Sequence, residues 1–174
     1  ASCASLPGAD FDLVIRNGTI VDGSGSKPFI GDVAVRDDRI VAVGKVEGRG
    51  AREIDARGRA VAPGFINMLS WAVDSLLVDP RALADVRQGV TLEVFGEGES
   101  MGPLDDRMKK EMVEQQGDLK FDVVWTTLGE YLEHLERRGV AVNVASFVGA
   151  TSVRAHELDQ DDPPPVPWGS KRIG

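Results

Sequence analysis

The pattern of the chain changes abruptly at Pro63-Gly64, and no fold of a single texture accommodates both halves. Before that point, short alternating runs are separated by turn residues. Leu13 to Arg16 alternates, Asn17-Gly18 follows, and Thr19-Ile20-Val21 resumes. Asn-Gly between two such runs predicts a hairpin turn, because both central positions of that turn want positive φ. Residues 31–36 alternate again, Asp37-Asp38 turns, and Arg39 to Val43 returns. Arg52 to Asp55 makes another short strand ahead of an Arg57-Gly58 turn. Short strands with frequent turns predict a small β-sandwich or barrel. Its core is small and is expected to lean on a neighbour.

After Pro63, strands alternate with helices. Residues 60–69 (AVAPGFINML) are an apolar run that reads as a buried strand. Asp79-Pro80 reads as an N-cap and first helical residue, with Gly89 past the end. Val90 to Phe95 is the next strand, closed by the polar loop Gly96-Glu97-Gly98-Glu99-Ser100. Asp105 to Gln116 reads as a helix with acids in its first turn and Gly117 as its stop. Thr127-x-x-Glu130 is a capping box for a third helix. The apolar stripe of that helix is Leu128, Tyr131, Leu132 and Leu135, and Gly139 ends it. Val140 to Val148 is a third apolar strand, and Phe121 to Trp125 is either a short extra strand or an extended connection. Such alternation implies a parallel sheet of βα units, so the class is α/β with a small β part. Prolines 163, 164, 165 and 167 exclude a helix and favour extended chain. The expected division is a loose N-terminus over 1–10, a β part over 11–62, βα units over 63–160 and a tail over 161–174.

Composition narrows the function. Lys and Arg total 20 against 28 Asp and Glu, a net charge of −8 that disfavours non-specific nucleic-acid binding. No window approaches the ~20 apolar residues of a membrane span. The one cysteine, Cys3, excludes an internal disulfide. His134 and His156 are the two histidines, too few for a zinc cage of three histidines. Ala-Ser-Cys3 is similar to the cleavage junction of a bacterial lipoprotein signal. If Cys3 carries lipid, the protein is periplasmic or membrane-anchored; otherwise Cys3 is an ordinary residue and the protein cytoplasmic. His134, beside polar Glu130 and Arg138, reads as a surface histidine, and His156 as a local ion pair with Glu157 or solvent-exposed. Ser146 and Ser152 lack a Gly-x-Ser-x-Gly frame, so they give a serine hydrolase little support. Gly96-x-Gly98 lacks a third glycine and carries two glutamates, which repel phosphate.

Three segments carry a resemblance: DLVIRNGTIVDGSG, GDVAVRDDRIVAVG and IDARGRAVAPGFIN. Together they resemble the N-terminal region of the amidohydrolase superfamily. The later segments DVRQGVTLEVFGEGESMGP and LGEYLEHLERRGVAVNVASFVGATSVR resemble its D-aminoacylase (N-acyl-D-amino-acid deacylase) branch. The resemblance covers residues 11 to about 160. It implies strands of a composite β-sandwich followed by the first three βα units of a metal-dependent (β/α)8 barrel, incomplete here. The implied chemistry is hydrolysis of a non-peptide C–N bond in a small N-acyl amino acid. Zinc is the implied metal; it would lower the pKa of a bound water to about 7.

The departures from that pattern fall on the metal. The family usually reads PGFID-x-His-x-His, whereas here Asn67 replaces the Asp, and Leu69 and Trp71 stand at the histidine positions. Leucine has no donor atom and tryptophan offers only an N–H, so neither binds zinc. The family's loop cysteine has no counterpart in Gly96-Glu97-Gly98-Glu99, nor its Gly-His-Ser/Thr in Gly149-Ala150-Thr151-Ser152. A carboxylate is a competent ligand, so either Glu97 (or, less directly, Glu99) faces a metal, or both are solvated loop residues. Asn67, Trp71 and Ser100 are candidates for a substrate pocket. A whole barrel takes ~250 residues, with further ligands and the catalytic acid on later strands. The expectation is therefore a truncated, inactive chain of a deacylase-like parent, poorly soluble by itself. The alternative is a degenerate non-catalytic scaffold or pseudogene product.

Overall fold

A computed structural model describes residues 8–158; Cys3 and the proline-rich stretch lie outside them. The chain divides into two compact units, one ending at Pro63 and the other starting at Gly64.

The first unit is a single sheet. Strands β1 (Phe11–Ile20), β2 (Phe29–Arg36), β3 (Arg39–Gly44), β4 (Gly50–Asp55) and β5 (Ala60–Val61) take the order β3-β2-β1-β4, with β5 also paired to β1. β1 runs antiparallel to β2 and parallel to β4 and β5. The Asp37-Asp38 turn is present, with φ of 49° and 61°. The Asn17-Gly18 hairpin is not. β1 passes straight through both residues, and the register of its pairing with β2 shifts between Ile15 and Gly18. Asn17 has φ 59°, so its positive φ serves a bulge instead of a turn. Gly18 is required there because a Cβ would run into the Val61 side chain. Asp32 holds the bulge by accepting from the Asn17 N–H at 2.9 Å.

Arg16 ties this sheet to the β3–β4 connection. Its guanidinium pairs with Glu53 at 2.9 Å and Asp32 at 3.2 Å, and donates to the Val46 carbonyl at 2.9 Å. Arg16 holds the Glu53 carboxyl down at about 2, well below its ordinary range. The sandwich expectation is met by one layer only among the described residues, with Val14, Ala34 and Val46 as its small core.

The second unit is a parallel sheet with helices between its strands. Its elements are β6 (Phe65–Asn67), α1 (Val73–Val78), α2 (Leu83–Val86), β7 (Val90–Phe95), α3 (Asp106–Glu114), α4 (Leu128–Arg138), β8 (Asn143–Ser146) and α5 (Ala150–Glu157). The strand order is β6-β7-β8, all parallel. Asp105 caps α3 by accepting from the Met108 N–H at 2.7 Å, and the Thr127/Glu130 capping box starts α4. Two expectations fail here. Asp79 is not an N-cap: it ends α1, and its carboxylate is taken by Arg81 at 2.7 Å. The 60–69 run is not one buried strand but β5 and β6 separated by Pro63-Gly64, with Phe65, Ile66, Met68 and Leu69 exposed. β6 is an edge strand, paired on one side only. Phe121 to Trp125 is an extended connection. His134 is not simply a surface residue, since its ring lies 5.5 Å from that of Trp125.

The core of this unit sits between the sheet and its helices. Leu76 and Leu77 of α1, Phe95 of β7 and Tyr131 and Leu135 of α4 close around Trp125.

Candidate active site

In a parallel sheet the segments after the strands converge at the carboxyl end, where ligands of α/β proteins bind. Here they border an open cavity of about 680 Å³. Ser70 and Trp71 follow β6, Glu97, Glu99 and Ser100 follow β7, and Thr151 and Ser152 come from α5; all line it. The sequence candidates Trp71, Glu97, Glu99 and Ser100 therefore share one cavity. Asn67 is not on its wall; its Oδ1 accepts from the Leu69 N–H at 3.3 Å.

The wall is acidic. Asp74, Glu97, Glu99, Glu111 and Asp118 line it with one cation, Arg107. That cation is engaged: Arg107 pairs with Glu111 at 3.2 Å and Asp105 at 3.5 Å, and donates to the Ala155 carbonyl at 2.8 Å. Glu97 and Glu99 are exposed at the loop surface.

Ser100 is buried and its hydroxyl is committed to the backbone. It donates to the Gly102 carbonyl at 2.6 Å and accepts from the Gly149 N–H at 2.9 Å. The Ser100 N–H donates to Ser152 Oγ at 2.8 Å, and that hydroxyl donates back to the Ser100 carbonyl at 3.1 Å. The three bonds to Gly149 and Ser152 fasten the β7 loop to the start of α5. His156 Nδ1 lies 2.9 Å from Glu157 Oε1, the local pair expected.

The donor set does not fit a zinc ion. Leu69 and Trp71 stand at the positions of the expected histidines, exposed and without a metal-binding atom. Among the described residues, no three His, Cys, Asp or Glu side chains come together as a metal-binding group.

The buried pair of this end of the sheet is Ser70 and Glu93. The Ser70 N–H continues the ladder beyond β6 by donating to the Val94 carbonyl at 3.0 Å. This places the Ser70 hydroxyl against β7, where it donates to Glu93 Oε2 at 2.7 Å. Glu93 is 0% exposed, and its Oε1 has no partner. Burial pushes the Glu93 carboxyl up, the Ser70 bond opposes this, and the charge of Asp85 adds to the rise. Burial also raises Asp74, and burial together with Asp74 and Glu93 raises the Tyr131 phenol above its ordinary range. Sequence reasoning missed Glu93, although a signal exists: a lone acid inside Val90 to Phe95, a strand of apolar character, is seldom left fully buried without a purpose.

A raised carboxyl binds more protons folded than unfolded. Stability is then full below the ordinary value of 4.5 and falls as pH rises through the raised folded value. Glu93→Gln is expected to flatten this fall and to raise the melting temperature at pH 8, with little difference at pH 4. Thermal melts at the two pH values measure it; equal melting temperatures of variant and wild type at pH 8 would contradict it.

A sheet unit followed by three parallel strands with helices between them and a cavity at the strand ends defines an α/β class. No protein-family model matches the chain. The chain is 37% identical over 153 residues to an N-acyl-D-aspartate deacylase of Alcaligenes xylosoxydans xylosoxydans, covering 87% of this chain and 30% of that protein. It is 33% identical over 150 residues to a D-aminoacylase of the same organism, covering 83% and 30%. A solved D-aminoacylase, described as defining a novel subset of amidohydrolases, superposes with a TM-score of 0.70 at 33% identity, over 83% of this chain and 31% of that one. N-acyl-D-glutamate deacylase from Bordetella bronchiseptica, complexed with zinc and a phosphonate inhibitor, superposes with a TM-score of 0.74 at 28% identity, over 90% and 33%. The chain belongs to the D-aminoacylase-like branch of the amidohydrolase superfamily. It spans about a third of the length of the relatives it matches.

Proposed function

We propose that the protein to which this chain belongs hydrolyses the amide C–N bond of small N-acyl-D-amino acids, giving a carboxylate and a free D-amino acid. The observation that carries this reading is the 37% identity to a deacylase, sustained over 153 residues that include both units. The chain's own contribution is the strand-end cavity, with Trp71 as an apolar face and Glu97 and Glu99 at its rim. The division into a β part over 11–62 and βα units over 63–160 belongs to the same proposal. Zinc is the metal of a solved relative, but the strand-end residues here supply no ligand set for it. Leu69 and Trp71 favour a second reading, a non-catalytic scaffold of the same fold.

Hydrolysis of N-acetyl-D-aspartate, N-acetyl-D-glutamate and N-acetyl-D-leucine by the protein purified from its native source separates the two. The deacylase reading expects release of a D-amino acid from at least one of them and none from the L-enantiomers. A folded protein that leaves all of them intact would establish the scaffold.

A further inference from the structure

We propose that the strand-end cavity takes substrates with a long, unbranched acyl chain, which lies against an apolar face supplied by α3 and the segments on either side of it. The proposal rests on the deacylase reading above and specifies the acyl end of its substrate. Met108 and Met112, one turn apart on α3, line the cavity together with Met101, Leu104 and Phe121. Met101 and Leu104 are buried in the core of the unit, and Met108, Met112 and Phe121 pack half-buried against it. The face is therefore backed by the core. Gln116 fixes the backbone of Phe121: its Nε2 donates to the Phe121 carbonyl at 2.9 Å, and its Oε1 accepts from the Phe121 N–H at 3.3 Å. A face held in this way exists before a ligand arrives, so binding does not bear the cost of ordering it. Three methionines on one wall suit a flexible chain, because the unbranched thioether adapts to irregular apolar shapes.

Charge decides which end of the substrate enters. An N-acyl amino acid carries a carboxylate at one end and an uncharged acyl group at the other. Asp74, Glu97, Glu99 and Asp118 stand on the cavity wall, and no ion pair among the described residues neutralises them. Arg107 is already taken by Glu111, Asp105 and the Ala155 carbonyl. A cleft lined by one sign of charge repels an ion of the same sign. The carboxylate therefore stays toward solvent and the acyl end goes in. Size agrees with this orientation. The cavity of about 680 Å³ falls within the roughly 300–1,000 Å³ of sites that hold drug-sized ligands. An acetyl group covers little of such a wall, whereas each further methylene buried on it tightens binding about fourfold.

The test is isothermal titration of the purified native protein with N-methylsulfonyl-, N-butylsulfonyl- and N-hexylsulfonyl-D-leucine, whose S–N bond a deacylase does not cleave. The expected result is a Kd that falls about three- to fourfold for each methylene the cavity covers. Met112→Gln, and separately Met108→Gln, puts an amide on the wall and is expected to reduce the hexyl-to-methyl affinity ratio about 10-fold. Val113→Gln is the control: Val113 is an exposed residue of α3 that does not line the cavity, and its change should leave the ratio as it is. A Kd that does not fall from methyl to hexyl overturns the proposal. So does a ratio that Val113→Gln lowers as much as the methionine variants do, since the chain would then be held by apolar surface outside the cavity. Hydrolysis of N-acetyl- and N-hexanoyl-D-leucine is followed on the same samples. Equal kcat/KM for the two, with no gain in binding along the series, removes the acyl-chain face and leaves the deacylase. A gain that Met112→Gln abolishes, with neither compound hydrolysed, removes the deacylase and leaves the face.

Discussion

Trp125→Ala is expected to destabilise the second unit by about 3–5 kcal/mol, the range for truncating a buried aromatic ring. Domains are stable by only about 5–15 kcal/mol, so this change removes a large part of what holds the unit folded. Trp125 is buried in the middle of the core cluster, with the Tyr131 ring 5.2 Å away and the Phe121 ring 6.4 Å away. It lies on an extended connection, so no helix or strand ladder holds it there; its position depends on packing. Removing it leaves Tyr131, Leu135 and Phe95 facing an empty volume that they cannot all fill. Trp125→Phe separates ring from N–H. The Trp125 Nε1–H is buried without a partner, so replacing it forfeits no hydrogen bond. The expected cost of Phe is about 1 kcal/mol, mainly lost volume. Urea unfolding of the three proteins, followed by circular dichroism, gives the ranking. A Phe variant as unstable as the Ala variant would place an unseen partner on Nε1 and contradict the packing account.

The same residues show which parts of the fold are legible without a structure. Signals contained within one turn of chain read correctly: Asp37-Asp38 takes the positive φ of its turn, and the Asp105 cap and the Thr127/Glu130 box satisfy backbone groups locally. Asn17-Gly18 carries an equally local signal, positive φ, but a bulge uses it as well as a hairpin does. The choice between them is made by Asp32 and Val61, which are distant in sequence. Asp79-Pro80 misleads for a related reason. Arg81 lies two residues on and captures the carboxylate that a helix N-terminus would need. In the site, Glu97, Glu99 and Trp71 are legible because they follow strand ends directly. The Ser70–Glu93 bond is not, because it exists only once β6 and β7 pair in one particular register.

Gly96→Ala is expected to destabilise the second unit by about 2–3 kcal/mol and to displace the loop that carries Glu97 and Glu99. Two causes add. Gly96 has φ 85°, in the left-handed region where a Cβ costs about 1–2 kcal/mol. A Cβ there would also run into the Phe147 carbonyl oxygen and come within 2.9 Å of Ser146 Oγ. Backbone cannot rotate away as a side chain can, so β8 must move from β7. The bond from the Phe147 N–H to the Phe95 carbonyl, 2.9 Å long, is the first to lengthen. Gly98 supplies the control, since nothing lies within 4 Å of its Cβ position. Gly98→Ala should stay within about 0.5 kcal/mol of wild type, as surface changes usually do. Urea midpoints compare the stabilities, and amide hydrogen exchange at Phe147 reports the displacement. Faster exchange at Phe147 in Gly96→Ala alone is expected. Equal midpoints for the two variants would mean that the β7–β8 ends are not in contact, and the cavity they border would lose one of its walls.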